Sequence, residues 1–296
     1  ACVVTVLRNN LRYGNYEILE NDYGISLRSL VAFADRTYAP GEAISPLIKA
    51  INVLLFKLEG QIIARHPEFD MEGRLLLDKM DLEAGTIELE DGTWPLVTRD
   101  FPTVDAAHPY ELTCEEREIV GKLVAEFRAS DHLRRHVNLL YSNGSMYLAS
   151  NGNLLFHGCV PMNEDGTFSA MNCMGTWKSG RDYLDFCDSI ARRAWRDGDQ
   201  EALDWMWYLW IGFKSPASGR LVKTFERAYI EDKSTWSEPM DPYFTLTREE
   251  GPCDAIMREF GLYAGGHIIN GHTPVKTVQG EQPIRANGKL LVIDGG

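Results

Sequence analysis

Two histidines of this 296-residue chain follow short apolar runs that predict buried strands. The apolar run at 154–156 ends at His157, and Gly158 after it lets the backbone turn sharply. A second apolar run at 268–269 is followed three residues later by His272. Open α/β sheets bind ligands beyond the C-terminal ends of their strands. The pattern therefore favours a site shared by both imidazoles, of the kind that holds a metal ion.

Each histidine taken alone is weaker evidence. A lone histidine near an apolar run is more often a hydrogen-bonded structural residue than a ligand. The metal interpretation depends on the fact that the pattern occurs twice, because His157 and His272 are each next to a glycine in the sequence, at a predicted strand end.

The balance of charges excludes some classes of function. Thirty Lys and Arg residues against 43 Asp and Glu residues give a net charge of −13, which argues against nucleic acid as a partner. The six cysteines include no C-x-x-C pair, so reduced thiols and a cytoplasmic location are expected. No apolar run reaches the ~18 residues of a membrane span, and no signal peptide is recognisable, so we expect no membrane contact.

Hydrophobic spacing predicts a mixed α/β fold. Helical spacing after Ser45 predicts a core helix over 44–66. Alternation within 86–97, around the turn Asp91-Gly92, predicts a small hairpin. From these patterns we predict a mostly helical inserted cap over 38–140 and a main domain made of 1–37 and 141–296.

Further signals predict the ends of several elements. Thr113 to Glu116 reads as a capping box that opens a helix to about His136, and Thr247 to Glu250 as a second one. Asn151-Gly152 predicts a type I′ hairpin turn. The other predictions are helices at 1–13 (capped by Gly14), 180–197 and 199–213, a helix that ends at Gly261, and a strand at 290–293.

The two ends of the sequence fall inside predicted elements. The chain begins at Ala1 within a helix and stops just after a strand reaches Asp294. Natural domains seldom begin and end in this way. The sequence is therefore expected to be a fragment of a longer protein.

Several segments, spread along the chain, carry a resemblance to a known family. They are RNNLRYGNY (8–16) with LRSLVAF (27–33), NGNLLFHGCVPM (151–162), TFER (224–227), NGHTPVK (270–276) and ANGKLLVIDGG (286–296). Together, and in this order, they resemble the class III fructose-1,6-bisphosphatases, a branch of the calcineurin-like metallophosphoesterases. The long central stretches are specific to this family among the phosphoesterases.

The resemblance implies a fold, a reaction and a set of site residues. The fold is a β-sandwich flanked by helices, incomplete in this chain, and the reaction converts fructose 1,6-bisphosphate to fructose 6-phosphate and phosphate in gluconeogenesis. Two divalent metal ions, typically Mn²⁺, activate the attacking water, and His157 and His272 bind the same ion. Lys214, Arg220 and Arg227 match the family in a cation-bearing segment and are candidates for substrate phosphate contacts, with ordinary surface ion pairs as the alternative.

The sequence departs from the family pattern at its most important motifs. D-x-H, G-D-x-x-D-R and G-N-H-D, which carry most metal ligands and the usual acid histidine, are absent. Pro274 stands where many phosphoesterases have a further histidine. No catalytic residue is therefore identifiable in this chain. Cys159, beside His157, is expected to have a packing role.

Two alternative functions stay open at this point. One is a related phosphoesterase that acts on another phosphoester, and the other is a non-catalytic binding or regulatory module that has lost most ligands. The sequence also leaves the oligomeric state open, with a homo-oligomer among the alternatives.

Overall fold

The computed structural model describes residues 1–12, 16–41, 44–263 and 265–294. It divides into two compact units, Ala1–Leu140 with Lys223–Ser237, and Tyr141–Val222 with Glu238–Gly296. Each unit has its own hydrophobic core. The mixed α/β class is as predicted. The calcineurin-like sandwich and the assignment of 38–140 as an inserted cap stay predictions.

Helices and strands alternate irregularly along the chain. The helices are α1 (Cys2–Arg12), α2 (Tyr16–Asn21), α3 (Arg28–Thr37), α4 (Pro46–Arg65), α5 (Cys114–Ala129), α6 (Asp131–Asn143), α7 (Gly180–Arg196), α8 (Gln200–Ile211), α9 (Thr224–Tyr229), α10 (Tyr243–Leu246) and α11 (Glu250–Glu259). The strands are β1 (Met80–Asp81), β2 (Thr86–Leu89), β3 (Gly92–Pro95), β4 (Tyr147–Ser150), β5 (Asn153–Phe156), β6 (Met171–Cys173), β7 (Thr176–Lys178), β8 (Ile268–Asn270), β9 (Ile284–Arg285) and β10 (Leu290–Val292).

Helix α4 lies at the centre of the first unit. The Ser45 hydroxyl accepts the N–H of Ile48, and Pro46 occupies the first turn, where its missing N–H costs nothing. Most residues of α4 are buried, on every side of the helix. A helix that is buried on all sides belongs in a core. This confirms the predicted core helix, and β2 and β3 confirm the predicted hairpin.

Residues 223–237 return to the first unit through α9. Arg74 Nη1 lies 2.5 Å from Glu226 Oε1 and Nη2 lies 2.9 Å from Oε2, a two-point contact with a fully buried carboxylate. Phe225 of α9 packs against Phe56 of α4 with ring centroids 5.2 Å apart. An ion pair and an aromatic contact therefore join this segment to α4 and the 3₁₀ turn that carries Arg74.

The second unit is organised by a five-stranded sheet in the order β4-β5-β8-β10-β9. Its three inner strands run parallel, and the two edge strands are antiparallel to their neighbours. Asn151 and Gly152 have φ of 51° and 77°, so the β4–β5 hairpin has the predicted type I′ turn. Because β5 and β8 are parallel, the residues that follow them leave the sheet at the same edge.

Two predictions of helix boundaries are wrong. The helix that starts at the Thr113 capping box ends at Ala129, because Ser130 is extended (ψ 105°) and its hydroxyl donates to Tyr23 O. The chain then restarts as α6. The second capping box does not form: the Thr247 hydroxyl donates to Tyr243 O in the preceding turn, and α11 begins without a side-chain cap.

The remaining local predictions agree with the structure. α7 and α8 lie where two helices are predicted, α1 covers most of 1–13, and Gly261 follows α11 with φ 71°, as a helix-ending glycine does. Tyr13 and the predicted cap Gly14 lie outside the described residues. None of the helices in the described ranges is long and apolar enough to cross a membrane.

Candidate metal centre

The parallel pairing of β5 with β8 brings the two histidine-bearing turns together. Leu154 pairs with Ile268 and Leu155 with Ile269. Beyond the strands, the N–H of Gly271 donates to His157 O at 2.9 Å. The register of the sheet therefore places His157 beside the turn that carries His272.

The two imidazoles converge on one point, as the sequence pattern predicts. His157 Nε2 and His272 Nδ1 are 3.0 Å apart, and the ring centroids are 4.9 Å apart at an angle of 70°. Two ligands that are about 2.1 Å from one ion and at right angles to each other lie about 3.0 Å apart. The spacing of the two nitrogens therefore fits a shared ion as well as it fits a hydrogen bond.

His272 has an unusual backbone conformation and a lowered imidazole pKa. Its φ of 67° lies in the left-handed region, which non-glycine residues adopt rarely. Burial lowers the pKa of its imidazole to about 4, and the charges of Arg220 and His157 act in the same direction. The ring is therefore neutral near pH 7, which is the form that binds metals.

The nitrogens of His157 and His272 could supply part of the ligand set of a metal ion. His272 Nε2 is buried and has no hydrogen-bond partner, so this imidazole is incompletely satisfied by the described residues. Two neutral imidazoles are suitable ligands for a transition metal ion. The described residues contain no group of three or more His, Cys, Asp or Glu side chains that could hold an ion. This part of the chain therefore offers two ligands and not a full coordination set.

Close packing fixes the turn after His157. A Cβ on Gly158 would lie 2.5 Å from Pro216 O, so only glycine fits this position. The N–H of Cys159 donates to the same carbonyl at 2.9 Å. The Cys159 side chain is fully buried, and burial raises the pKa of its thiol well above the usual value. These contacts agree with a packing role for Cys159.

The three cations predicted from the sequence lie in different surroundings. Arg220 Nη2 donates to Thr273 Oγ1 at 3.2 Å, next to His272, and Nη1 lies 3.7 Å from Glu238 Oε2. Lys214 belongs to the same unit as Arg220, and its charge lowers the pKa of the Asp241 carboxyl. Arg227 lies in the first unit, is exposed and donates to Trp236 O. The structure thus brings Arg220 to the histidine pair.

Sequence reasoning missed Asp294 as a neighbour of the pair. It follows β10, which runs parallel to β8, and the Ile293 N–H donates to Asn270 O at 2.8 Å. The charge of Asp294 acts to raise the pKa of His272, against the larger effect of burial. The signal was present, because the apolar strand at 290–293 ends at this aspartate as the other two end near histidines.

Sequence comparisons identify relatives across the whole chain. The family model described as "Firmicute fructose-1,6-bisphosphatase" matches residues 1–296. A protein of Clostridium tetani named "Fructose-1,6-bisphosphatase class 3" is 46% identical over 322 residues, and the aligned region covers 100% of this chain and 49% of the relative. Proteins of Clostridium beijerinckii and Clostridium botulinum with names of the same class are 45% and 44% identical, with 48% of each relative covered.

The chain spans about half the length of the curated relatives that it matches. No solved structure matches it.

Proposed function

Because this chain belongs to the Firmicute fructose-1,6-bisphosphatase family, we propose that the complete protein removes the 1-phosphate of fructose 1,6-bisphosphate. The observation that supports this most directly is the 3.0 Å approach of His157 Nε2 to His272 Nδ1 at the edge of the sheet. The proposal includes a role in gluconeogenesis, which rests on the family resemblance, and a cytoplasmic location, which rests on the cysteine pattern.

His157 and His272 would hold one divalent ion, for which we propose Mn²⁺. A bound ion supplies an activated water at neutral pH and positive charge for the phosphoryl oxygens. Because the buried His272 ring is neutral, one of its nitrogen lone pairs can bind an ion without prior loss of a proton. We propose that residues of the D-x-H, G-D-x-x-D-R and G-N-H-D motifs complete the ligand set, within a calcineurin-like sandwich.

Arg220 is the best-supported candidate for contact with a substrate phosphate. Its side chain is partly buried, and its buried Nε has no hydrogen-bond partner among the described residues, so this donor is unused there. A planar guanidinium binds phosphate oxygens with two parallel hydrogen bonds. In a chain of charge −13, such a cation beside the histidine pair offsets the charge of a bisphosphate locally. Lys214 and Arg227 remain proposals on the family resemblance alone.

The test is phosphate release from fructose 1,6-bisphosphate by the full-length protein with Mn²⁺. We expect His157→Ala and His272→Ala each to lower kcat/KM by at least about 100-fold, more than the loss of a residue that only orients a ligand. The matched control is His267→Ala. His267 is exposed at the opposite end of β8, where its Nδ1 lies 2.7 Å from Gly288 O.

The control should keep activity within about twofold, because a surface substitution away from the site changes little. Equal losses in all three variants would contradict the assignment of the site. Activity on other phosphomonoesters but not on the bisphosphate would contradict the proposed substrate.

A further inference from the structure

The side chain of Asn270 connects the two histidine-bearing turns. Asn270 is the last residue of β8, two positions before His272, and its side chain is 3% exposed. Its Nδ2 donates to Gly158 O at 3.0 Å and to Tyr243 Oη at 3.1 Å. One carboxamide on the strand that leads to His272 therefore binds the residue that follows His157.

The orientation of this carboxamide follows from its neighbours. With nitrogen and oxygen exchanged, Oδ1 would face the carbonyl oxygen of Gly158, and two acceptors would oppose each other. Asn270 Oδ1, on the other side of the carboxamide, is buried and has no partner within the part of the chain that the structure describes. An unsatisfied buried oxygen costs free energy. The arrangement thus keeps the bond to Gly158 while one buried acceptor stays unpaired.

The second acceptor, Tyr243, is itself fixed in the core. Its side chain is fully buried, and its N–H donates to Asp241 Oδ1 at 2.8 Å. The same Asp241 oxygen accepts the N–H of Met162 at 3.0 Å. The turn after His157 is therefore held at Gly158 by Asn270 and at Met162 by Asp241, with Tyr243 between them.

We propose that Asn270 is a positioning residue that sets the separation of the His157 and His272 rings. It touches neither ring through a hydrogen bond and acts through the backbone at Gly158 and through its own place in β8. This inference deepens the proposed function, but its geometric part does not depend on a bound ion. Residues that orient metal ligands change metal affinity by about 10–100-fold when they are replaced.

The test compares Asn270→Ala with a matched control, Asn153→Ala, in the full-length protein. Asn153 begins β5, and its Oδ1 accepts the N–H of His267 at 2.9 Å. It thus links the same two strands with the same type of side chain, at their opposite ends. Asn270→Ser, which keeps a polar group and leaves a smaller cavity, is the second variant in case the alanine protein does not fold.

The first measurement is the crystal structure of each variant without metal. We expect the separation of His157 Nε2 and His272 Nδ1 to change by more than about 0.5 Å in the Asn270 variants, beyond the tolerance of a preorganised site. It should stay within that limit in Asn153→Ala. An unchanged separation in the Asn270 variants overturns the proposal, whatever the wild-type protein does with metal.

The second measurement is Mn²⁺ affinity, from the electron paramagnetic resonance signal of free Mn²⁺. We expect a loss of about 10–100-fold in the Asn270 variants and about twofold or less in Asn153→Ala. A loss in Asn153→Ala equal to that in the Asn270 variants would indicate a general structural effect and overturn the proposal. Failure of the wild-type protein to bind Mn²⁺ would instead contradict the proposed metal site, and the metal-free structures would still decide the role of Asn270.

Discussion

Lys57 Nζ lies 2.7 Å from Glu116 Oε2 inside the first unit, and neither side chain is exposed to solvent. Lys57 also donates to Thr103 O at 2.6 Å. The same Glu116 oxygen accepts the N–H of Thr113 at 2.7 Å and completes the capping box of α5. The pair therefore joins α4, the segment around residue 103 and the start of α5.

Lys57→Met should destabilise the protein strongly. The substitution keeps most of the apolar volume but leaves the Glu116 carboxylate buried without its partner, which costs about 3–5 kcal/mol. Urea unfolding followed by circular dichroism measures the change. Arg36→Ala is the control, since Arg36 pairs with Glu115 at the surface and such pairs contribute ~1 kcal/mol or less. A cost for Lys57→Met as small as that of the control would contradict the importance of the buried pair.

Gly158→Ala should weaken the proposed metal site more than replacement of a glycine that has open space around it. The new Cβ would meet Pro216 O at 2.5 Å and Ala217 O at 3.1 Å, both of them backbone atoms that cannot rotate away. The turn that carries His157 must then move. We expect lower Mn²⁺ affinity by about 10-fold or more, as when a group that orients a ligand is lost.

The control for this substitution is Gly251→Ala on α11 of the same unit. A Cβ there would meet no atom of the described residues within 4 Å, and alanine favours a helix by up to about 1 kcal/mol over glycine. Isothermal titration of Mn²⁺ and thermal unfolding of both variants make the comparison. Wild-type affinity in Gly158→Ala would contradict the tight fit at Pro216.

Asp241 should make stability depend on pH in the acidic range. Burial raises the pKa of its carboxyl from 3.8 to about 6, although the N–H groups of Tyr243 and Met162 and the charge of Lys214 lower it. The folded state thus holds this proton more tightly than the unfolded state does. Its contribution to stability is fully present below about pH 4 and is lost as pH rises through about 6.

The measurement compares the wild-type protein with Asp241→Asn, which keeps an oxygen acceptor and cannot ionise. Between about pH 4 and pH 6 the unfolding free energy of the wild type should fall relative to the variant, by up to about 3 kcal/mol for a shift of about two units. Denaturant unfolding at several pH values gives this difference. A difference that stays constant from pH 4 to pH 7 would show that Asp241 ionises normally.

Arg220→Ala should weaken binding of the bisphosphate. The proposed charge-assisted contact of the Arg220 guanidinium with a substrate phosphate would be worth about 1.5–3 kcal/mol, so KM should rise by about 10-fold or more when it is removed. Arg220→Lys should recover part of the loss, because lysine keeps the charge but not the planar fork. Arg196→Ala is the control, since Arg196 is exposed and pairs with the adjacent Asp197. An unchanged KM in Arg220→Ala would remove this residue from the site.

Local patterns predicted much of the fold. The two wrong helix boundaries follow from hydrogen bonds of the Ser130 and Thr247 hydroxyls, one of them distant in sequence and the other local. The apolar spacing of α4, with Ser45 and Pro46 at its start, suffices to place this helix. The Asn151-Gly152 pair suffices to place the β4–β5 turn, because both residues tolerate the positive φ that a type I′ turn requires. The break at Ser130 depends on Tyr23, which lies 107 residues earlier. No local pattern carries that information.

The same distinction applies to the candidate site. The repeated exit from strand to histidine predicted that His157 and His272 converge, because parallel strands end at one edge. Asn270 was not predicted, since its role depends on Gly158 O and Tyr243 Oη, both distant in sequence. The sequence shows the chemical type of each side chain, but the packing of the sheet determines which groups that side chain contacts.

Anomalous diffraction can show directly whether His157 and His272 bind one metal ion. Crystals of the full-length protein should be grown with Mn²⁺ and measured near the manganese absorption edge. We expect an anomalous peak about 2.2 Å from both His157 Nε2 and His272 Nδ1. A manganese peak elsewhere, or one in contact with only one of the two rings, would contradict it.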